Sequence, residues 1–199
     1  MGVAKLTDQN TIVVESSKYA RIERERKFLL DRYPGDLTPA APHVQITDNY
    51  LTGTRLRLRK IRDPKTNKWT LKFTQKFAPN SQDLSRTMIT NVYLNAHEYN
   101  MLSVFEANEI RKNRYRFEHH GRHYGIDVFL GDLMGLILAE ISFESDDELK
   151  KFQPPPFAVA EVTNAELFTG AKLAELTFED IRNEIARGAV SFLQQPLQV

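Results

Sequence analysis

Segment after segment of this 199-residue chain alternates apolar and charged residues, and within most of these segments the charges share one sign. Successive side chains of a strand point to opposite faces, so residue parity assigns each to a face. Arg55, Arg57 and Arg59 fall together, as do Lys72, Thr74 and Lys76, and again Lys112, Arg114 and Arg116. Elsewhere the matching face is acidic. Glu23 and Glu25 precede Lys27, Asp127 sits opposite Ile126 and Val128, Glu140 opposes Ala139 and Ile141, and Glu161 opposes Ala160 and Val162. This pattern calls for an antiparallel sheet or closed barrel with one apolar and one ionic face.

The order of segments agrees. Candidate strands run over residues 19–30, 43–51, 54–61, 68–77, 87–93, 109–118, 123–130, 136–144 and 157–163, with turns at Pro34-Gly35, Gly53 and Asp63-Pro64. Asn95 with Glu98 forms a capping-box pattern that opens a helix through about Ala107. Ser145 with Glu148 caps a short helix before Pro154 to Pro156. Helices are expected over 167–176 and 178–187, the second with Thr177 as N-cap and Gly188 just past its end. No repeat is present, and the αβαβ alternation of a parallel sheet is missing. Residues 1–18 read as an N-terminal extension with one short strand at Thr11 to Val14, and 19–199 as one domain.

Composition excludes several chemistries. There is no cysteine, hence no disulfide, thiolate metal site or cysteine nucleophile. The first residues lack the apolar stretch of a signal peptide and no run approaches a membrane span, so a cytoplasmic protein is expected. A formal charge of +1 conceals a basic stretch, Arg55 to Lys76 with Asp63 its one acid, and an acid-rich second half from Asp132 onward. A nucleic-acid binder wants a uniformly basic surface, so nucleic acid is not the expected partner. His119, His120 and His123 surround Gly121 in an expected solvated hairpin turn. Trp69 is expected in the barrel wall, and Arg24 and Arg26 point away from the ionic face.

Like charges on a concave face need a counter-ion. At about 4 Å and an effective dielectric near 20, each unit pair interacts by roughly 4 kcal/mol. A triphosphate satisfies several Arg and Lys donors at once, and carboxylates on facing strands suit Mg²⁺ or Mn²⁺, which take oxygen ligands. Alternation by itself also fits an open sheet whose polar face meets water.

Glu23-Arg24-Glu25-Arg26-Lys27 is an E-x-E-x-K strand and resembles the signature of the CYTH, or triphosphate tunnel metalloenzyme, superfamily. The resemblance continues in order through Arg55-Leu56-Arg57, Lys72, Arg86, Lys112-Asn113-Arg114 and Asp127-Val128-Phe129. It ends with Ala139-Glu140-Ile141 and Glu161-Val162-Thr163, covering about residues 19 to 176. It implies an α+β fold, an eight-stranded antiparallel β-barrel tunnel with flanking helices, which binds a triphosphate inside. Through it, Glu23, Glu25, Asp127 and Glu140 would hold Mg²⁺ or Mn²⁺, with Asp127 and Glu161 completing the acidic wall either as ligands or as orienters of the basic residues. Arg55, Arg57, Lys72, Lys76, Arg86, Lys112 and Arg114 would bind phosphate oxygens. Lys27, Arg57 and Glu161 would act in catalysis.

The implied activity is metal-dependent hydrolysis of inorganic tripolyphosphate or a small organic triphosphate. Two departures bear on it. Where hydrolytic members carry a second E-x-E pair this chain has Met88 and Thr90, and the second acid of A-E-x-E is Ser142. A polyphosphate- or nucleotide-binding module without turnover is therefore an alternative, as is a class IV-type adenylyl cyclase. A homodimer is left open.

Overall fold

The computed structural model describes residues 19–193; the N-terminal segment, with the strand expected at Thr11 to Val14, lies outside the described residues. The strands are β1 (Arg21–Leu30), β2 (His43–Leu51), β3 (Leu56–Arg62), β4 (Trp69–Phe77), β5 (Arg86–Leu94), β6 (Ala107–His119), β7 (Arg122–Leu130), β8 (Ile137–Ser142) and β9 (Ala160–Glu161). They are hydrogen-bonded in the order β5-β4-β3-β2-β6-β7-β8-β1, and β1 returns to β5 to close an eight-stranded antiparallel barrel.

The closing seam is short, running only from Arg21 opposite Ile89 to Arg24 opposite Arg86. Beyond it, the free edge of β1 is taken by β9, which pairs Phe28 with Glu161 and Leu29 with Ala160. The strand expected over 157–163 is thus only two residues long. The prolines at 154–156 just ahead of it lack a backbone N–H and disfavour continued pairing.

The helices follow the caps. Helix α1 (Ala96–Leu102) carries the reciprocal Asn95–Glu98 capping box, and α2 (Asp146–Lys151) has Ser145 accepting from the Glu148 amide. Helix α1 ends at Leu102, five residues short of Ala107, where β6 begins. The helix expected over 167–176 splits into a 3₁₀ turn (Glu166–Phe168) and α3 (Gly170–Leu173), with Thr169 capping the second. Helix α4 (Phe178–Ala186) follows the Thr177 cap and stops before Gly188, whose φ of +93° suits glycine.

Apolar residues pack on both sides of the barrel wall. Outside, Phe28, Tyr115, Ile126, Ala139 and Ile141 are covered by Phe152 and Ala158 of the segment after β8 and by Tyr33 and Leu37 of the β1–β2 loop. Phe28 and Ile126 are fully buried, and each such side chain contributes about 1.5–3 kcal/mol. Inside, Ile110, Phe129 and Leu138 form an apolar floor clustered with Val162, Phe168, Leu173 and Ile181 of the C-terminal segment. Among the described residues no helix is long and apolar enough to cross a membrane.

Candidate active site

The ionic faces converge. Above the apolar floor the barrel encloses a cavity of about 240 Å³ whose wall includes Glu23, Glu25 and Lys27 of β1, Arg57 and Arg59 of β3 with Arg55 just before it, Lys76 of β4, Lys112 and Arg114 of β6, and Glu140 of β8. Each was placed on the ionic face by parity, and neighbouring strands present equivalent faces because the register pairs them: Lys27 with Glu140, Arg57 with Thr74, Arg114 with Asp127.

Two buried aspartates hold the cations in place. Asp127 is fully buried, and its oxygens accept from Lys112 Nζ at 2.5 Å and from Arg114 Nε and Nη2 at 2.5 Å each. Asp48 of β2 is 1% exposed and accepts from Arg59 Nε at 2.5 Å and Nη2 at 2.7 Å, with Arg57 Nε 3.4 Å away. Burial opposes ionisation of Asp48, but Arg57 and Arg59 more than offset it and hold its carboxyl well below the usual range. Arg57 is the mirror case: burial works against its charge, and Asp48 keeps it a cation far above neutral pH. Its Nη1 donates to Tyr50 Oη at 3.2 Å, while its Nε is buried without a hydrogen-bond partner.

The acidic side is equally engaged. Lys76 Nζ donates to Glu23 Oε2 at 2.6 Å and to Glu25 Oε2 at 2.8 Å. Burial disfavours its ammonium, yet Glu25, Glu23 and Glu140 together raise its pKa. Glu140 accepts from Arg114 and lies 3.7 Å from Lys27 Nζ. Burial would protonate Glu140, but Arg114, Lys112, Lys27 and Lys76 hold its carboxyl well below the ordinary value. The donor chemistry suits a hard divalent cation, since Glu23 and Glu25 direct carboxylate oxygens at one point, the position of the Lys76 ammonium. Among the described residues no three or more of His, Asp and Glu are arranged to hold a metal.

Several expectations need correction or narrowing. Of the two roles open to Asp127, metal ligand and orienter of the basic residues, the geometry fits the second: it shares the face of Arg114 but lies buried beneath Lys112 and Arg114 as their counter-charge, off the cavity wall. Arg86 points outward, because the seam register pairs it with outward-facing Arg24; its Nε contacts Asp146 at 3.0 Å and its Nη1 contacts Asp83 at 2.5 Å. Glu161 also lies outside the cavity, held by Arg26 Nε at 2.7 Å and Nη2 at 2.5 Å. It accepts from Thr163 Oγ1 at 2.7 Å, and that hydroxyl accepts from the Lys27 amide at 3.0 Å, so Glu161 positions β1 without touching the cavity. Met88 and Thr90 face outward too, and the cavity-facing residues of β5 are Thr87 and Ile89.

Lys72 shares the face of Lys76 but lies off the cavity wall, its Nζ 5.0 Å from the Tyr93 ring centroid. Arg55 is at the exposed rim, 4.5 Å over Phe77. Asp48, Tyr50 and Arg59 were absent from the expected site. Their signal was present: Ile46, Asp48 and Tyr50 share a parity, and Arg59 shares the face of Arg55 and Arg57. Tyr50 also explains Gly170, where a Cβ would fall 1.8 Å from the Tyr50 hydroxyl oxygen.

A closed antiparallel barrel with paired charges of both signs inside defines the class of protein. An inorganic triphosphatase of Nitrosomonas europaea is 30% identical over 160 residues, covering 76% of this chain and 96% of that protein. Another, of Acetivibrio thermocellus, is 32% identical over 96 residues, covering 43% of this chain and 60% of that protein. A crystal structure of an inorganic triphosphatase superposes with a TM-score of 0.51 at 27% identity, covering 76% of this chain and 93% of that one. No family model matches the sequence. On this likeness, with the ordered motifs and the barrel, the chain belongs to the CYTH, or triphosphate tunnel metalloenzyme, superfamily.

Proposed function

We propose that this protein is a divalent-metal-dependent triphosphatase that hydrolyses a phosphoanhydride bond of inorganic tripolyphosphate or a small organic triphosphate inside the barrel. The observation that carries the reading is the convergence of Arg57, Lys112 and Arg114 with Glu23, Glu25 and Glu140 on one cavity. The relatives named as inorganic triphosphatases support it.

Arg57, Lys112 and Arg114 bind the phosphate oxygens from the cavity wall. Asp48 and Asp127 fix these cations before substrate arrives, so little reorganisation is left for the transferred phosphoryl group. Lys27 lies beside Glu140, where it can follow charge developing on a bridging oxygen. Glu23 and Glu25, with Glu140 nearby, would hold Mg²⁺ or Mn²⁺, and a bound ion supplies charge neutralisation and orientation of the phosphates. A bound triphosphate would displace water from this recessed wall, which strengthens each of these contacts. Phosphate release from tripolyphosphate with Mn²⁺ or Mg²⁺ tests the proposal. Folded protein that releases phosphate from no triphosphate with either ion would sink it.

Thr87 and Ile89, which leave the cavity face of β5 without a carboxylate, favour a second reading: metal-dependent triphosphate binding without turnover. Calorimetry that finds tight binding where the release assay finds nothing would select it.

A further inference from the structure

Lys76 reaches across a strand. Its backbone is on β4, opposite Ile89 of β5, yet its ammonium sits on the carboxylates of β1, one strand further on. Thr87 and Ile89 beneath its path carry no charge, so nothing on β5 holds it. The contacts at 2.6 and 2.8 Å place one cation symmetrically between Glu23 and Glu25. On its other side β4 pairs with β3, the Lys76 amide donates to the Arg55 carbonyl at 3.4 Å, and the arginine wall begins there.

We propose that Lys76 is an internal cation that occupies the metal seat of the empty protein and is handed to the triphosphate when a divalent ion takes that seat. The inference rests on the proposed role of Glu23 and Glu25 as holders of the metal. Two carboxylates meeting at one ammonium cannot also close around a divalent ion, so the ion must evict the lysine. Evicted without an anion, the ammonium enters a cavity already holding Arg57, Lys112 and Arg114, where like charges repel it. Evicted with a triphosphate present, it finds a partner on the phosphate oxygens. Lys76 therefore makes metal and triphosphate each favour the other's binding, and a divalent ion alone binds weakly. Its flexible four-carbon stem suits this exchange better than a planar arginine fork would.

The experiment measures Mn²⁺ affinity by calorimetry in the absence of any phosphate for the wild type, Lys76→Met, Lys76→Gln and Lys27→Met. Two charge-assisted hydrogen bonds no longer stand in the ion's way in the Lys76 variants, so they should bind Mn²⁺ at least about tenfold more tightly than wild type. Lys27→Met removes a nearby positive charge that does not bridge Glu23 and Glu25, and it should tighten binding severalfold less. Equal gains from both sites would reduce Lys76 to through-space repulsion and overturn the proposal, as would a Lys76 variant that binds no tighter.

A second reading needs no variant. Acetylation of Lys76 in wild-type protein, followed by mass spectrometry, should accelerate when Mn²⁺ saturates, because the ammonium leaves its carboxylates. An unchanged or slower rate contradicts the exchange. Wild-type protein and Lys76 variants that all fail to bind Mn²⁺ refute the metal role of Glu23 and Glu25 together with the inference, whereas Mn²⁺ binding indifferent to Lys76 refutes the inference alone.

Discussion

Asp127→Asn isolates the role of the buried counter-charge. The substitution keeps shape and removes the charge that Lys112 and Arg114 share at 2.5 Å. Removing one partner of a buried ion pair costs about 3–5 kcal/mol. Arg114 keeps Glu140 as a partner, so the lower end, about 3 kcal/mol, is expected. That is a large share of the roughly 5–15 kcal/mol that holds a domain folded. For a domain of this size it corresponds to a fall of about 6–12 °C in Tm. Thermal and urea denaturation at pH 7, followed by circular dichroism, measure it. Because the variant leaves the cavity more positive, tripolyphosphate should raise its Tm at least as much as that of wild type, through preferential binding to the folded state. A Tm loss under about 2 °C would refute the assignment of Asp127 as the anchor of Lys112 and Arg114.

Arg57→Met should lower kcat/KM for tripolyphosphate about 100- to 1,000-fold, the usual effect of losing one preorganised donor; steady-state phosphate release checks it. Arg86→Ala removes an outward, partly exposed ion-pair network, so it should cost about 1 kcal/mol or less and leave KM unchanged. A tenfold rise in KM would return Arg86 to the cavity. Asp48 and Glu140 have folded pKa values below their ordinary ones. Their stabilisation is therefore complete above the unfolded-chain value of about 4 and is lost as pH falls below it through the lowered folded values. Tm measured from pH 7 down to pH 2 should drop steeply below about pH 4, and Asp48→Asn should flatten that drop.

Much of the barrel was legible because strand periodicity is local. Residues 43–51 were bounded correctly, and Arg55, Arg57, Lys112 and Arg114 were assigned to the right face by parity alone. The caps at Asn95, Ser145 and Thr177 were likewise readable, since each needs only a residue and its partner three positions on. What failed depended on register between strands. Whether Arg86 looks in or out is set by its pairing with Arg24 at the seam, which no periodicity within β5 reveals. Glu161 sits on a two-residue strand, too short for alternation to mean much, and Arg26 captures it from the outer face. Asp127 was legible with two roles open, metal ligand or orienter of the basic residues. Choosing between them needed the distances to Lys112 and Arg114 across the β6–β7 register, together with its complete burial off the cavity wall.

The central claim is that the barrel interior receives a triphosphate. Crystals grown with tripolyphosphate and Mn²⁺, or with Ca²⁺ to slow turnover, test it most directly. Electron density for a phosphate chain contacting Arg57, Lys112 and Arg114, with the ion on Glu23 and Glu25, is the predicted result. A phosphate chain bound on the outer wall, or a cavity that stays filled by the Lys76 ion pairs at saturating ligand, would contradict it.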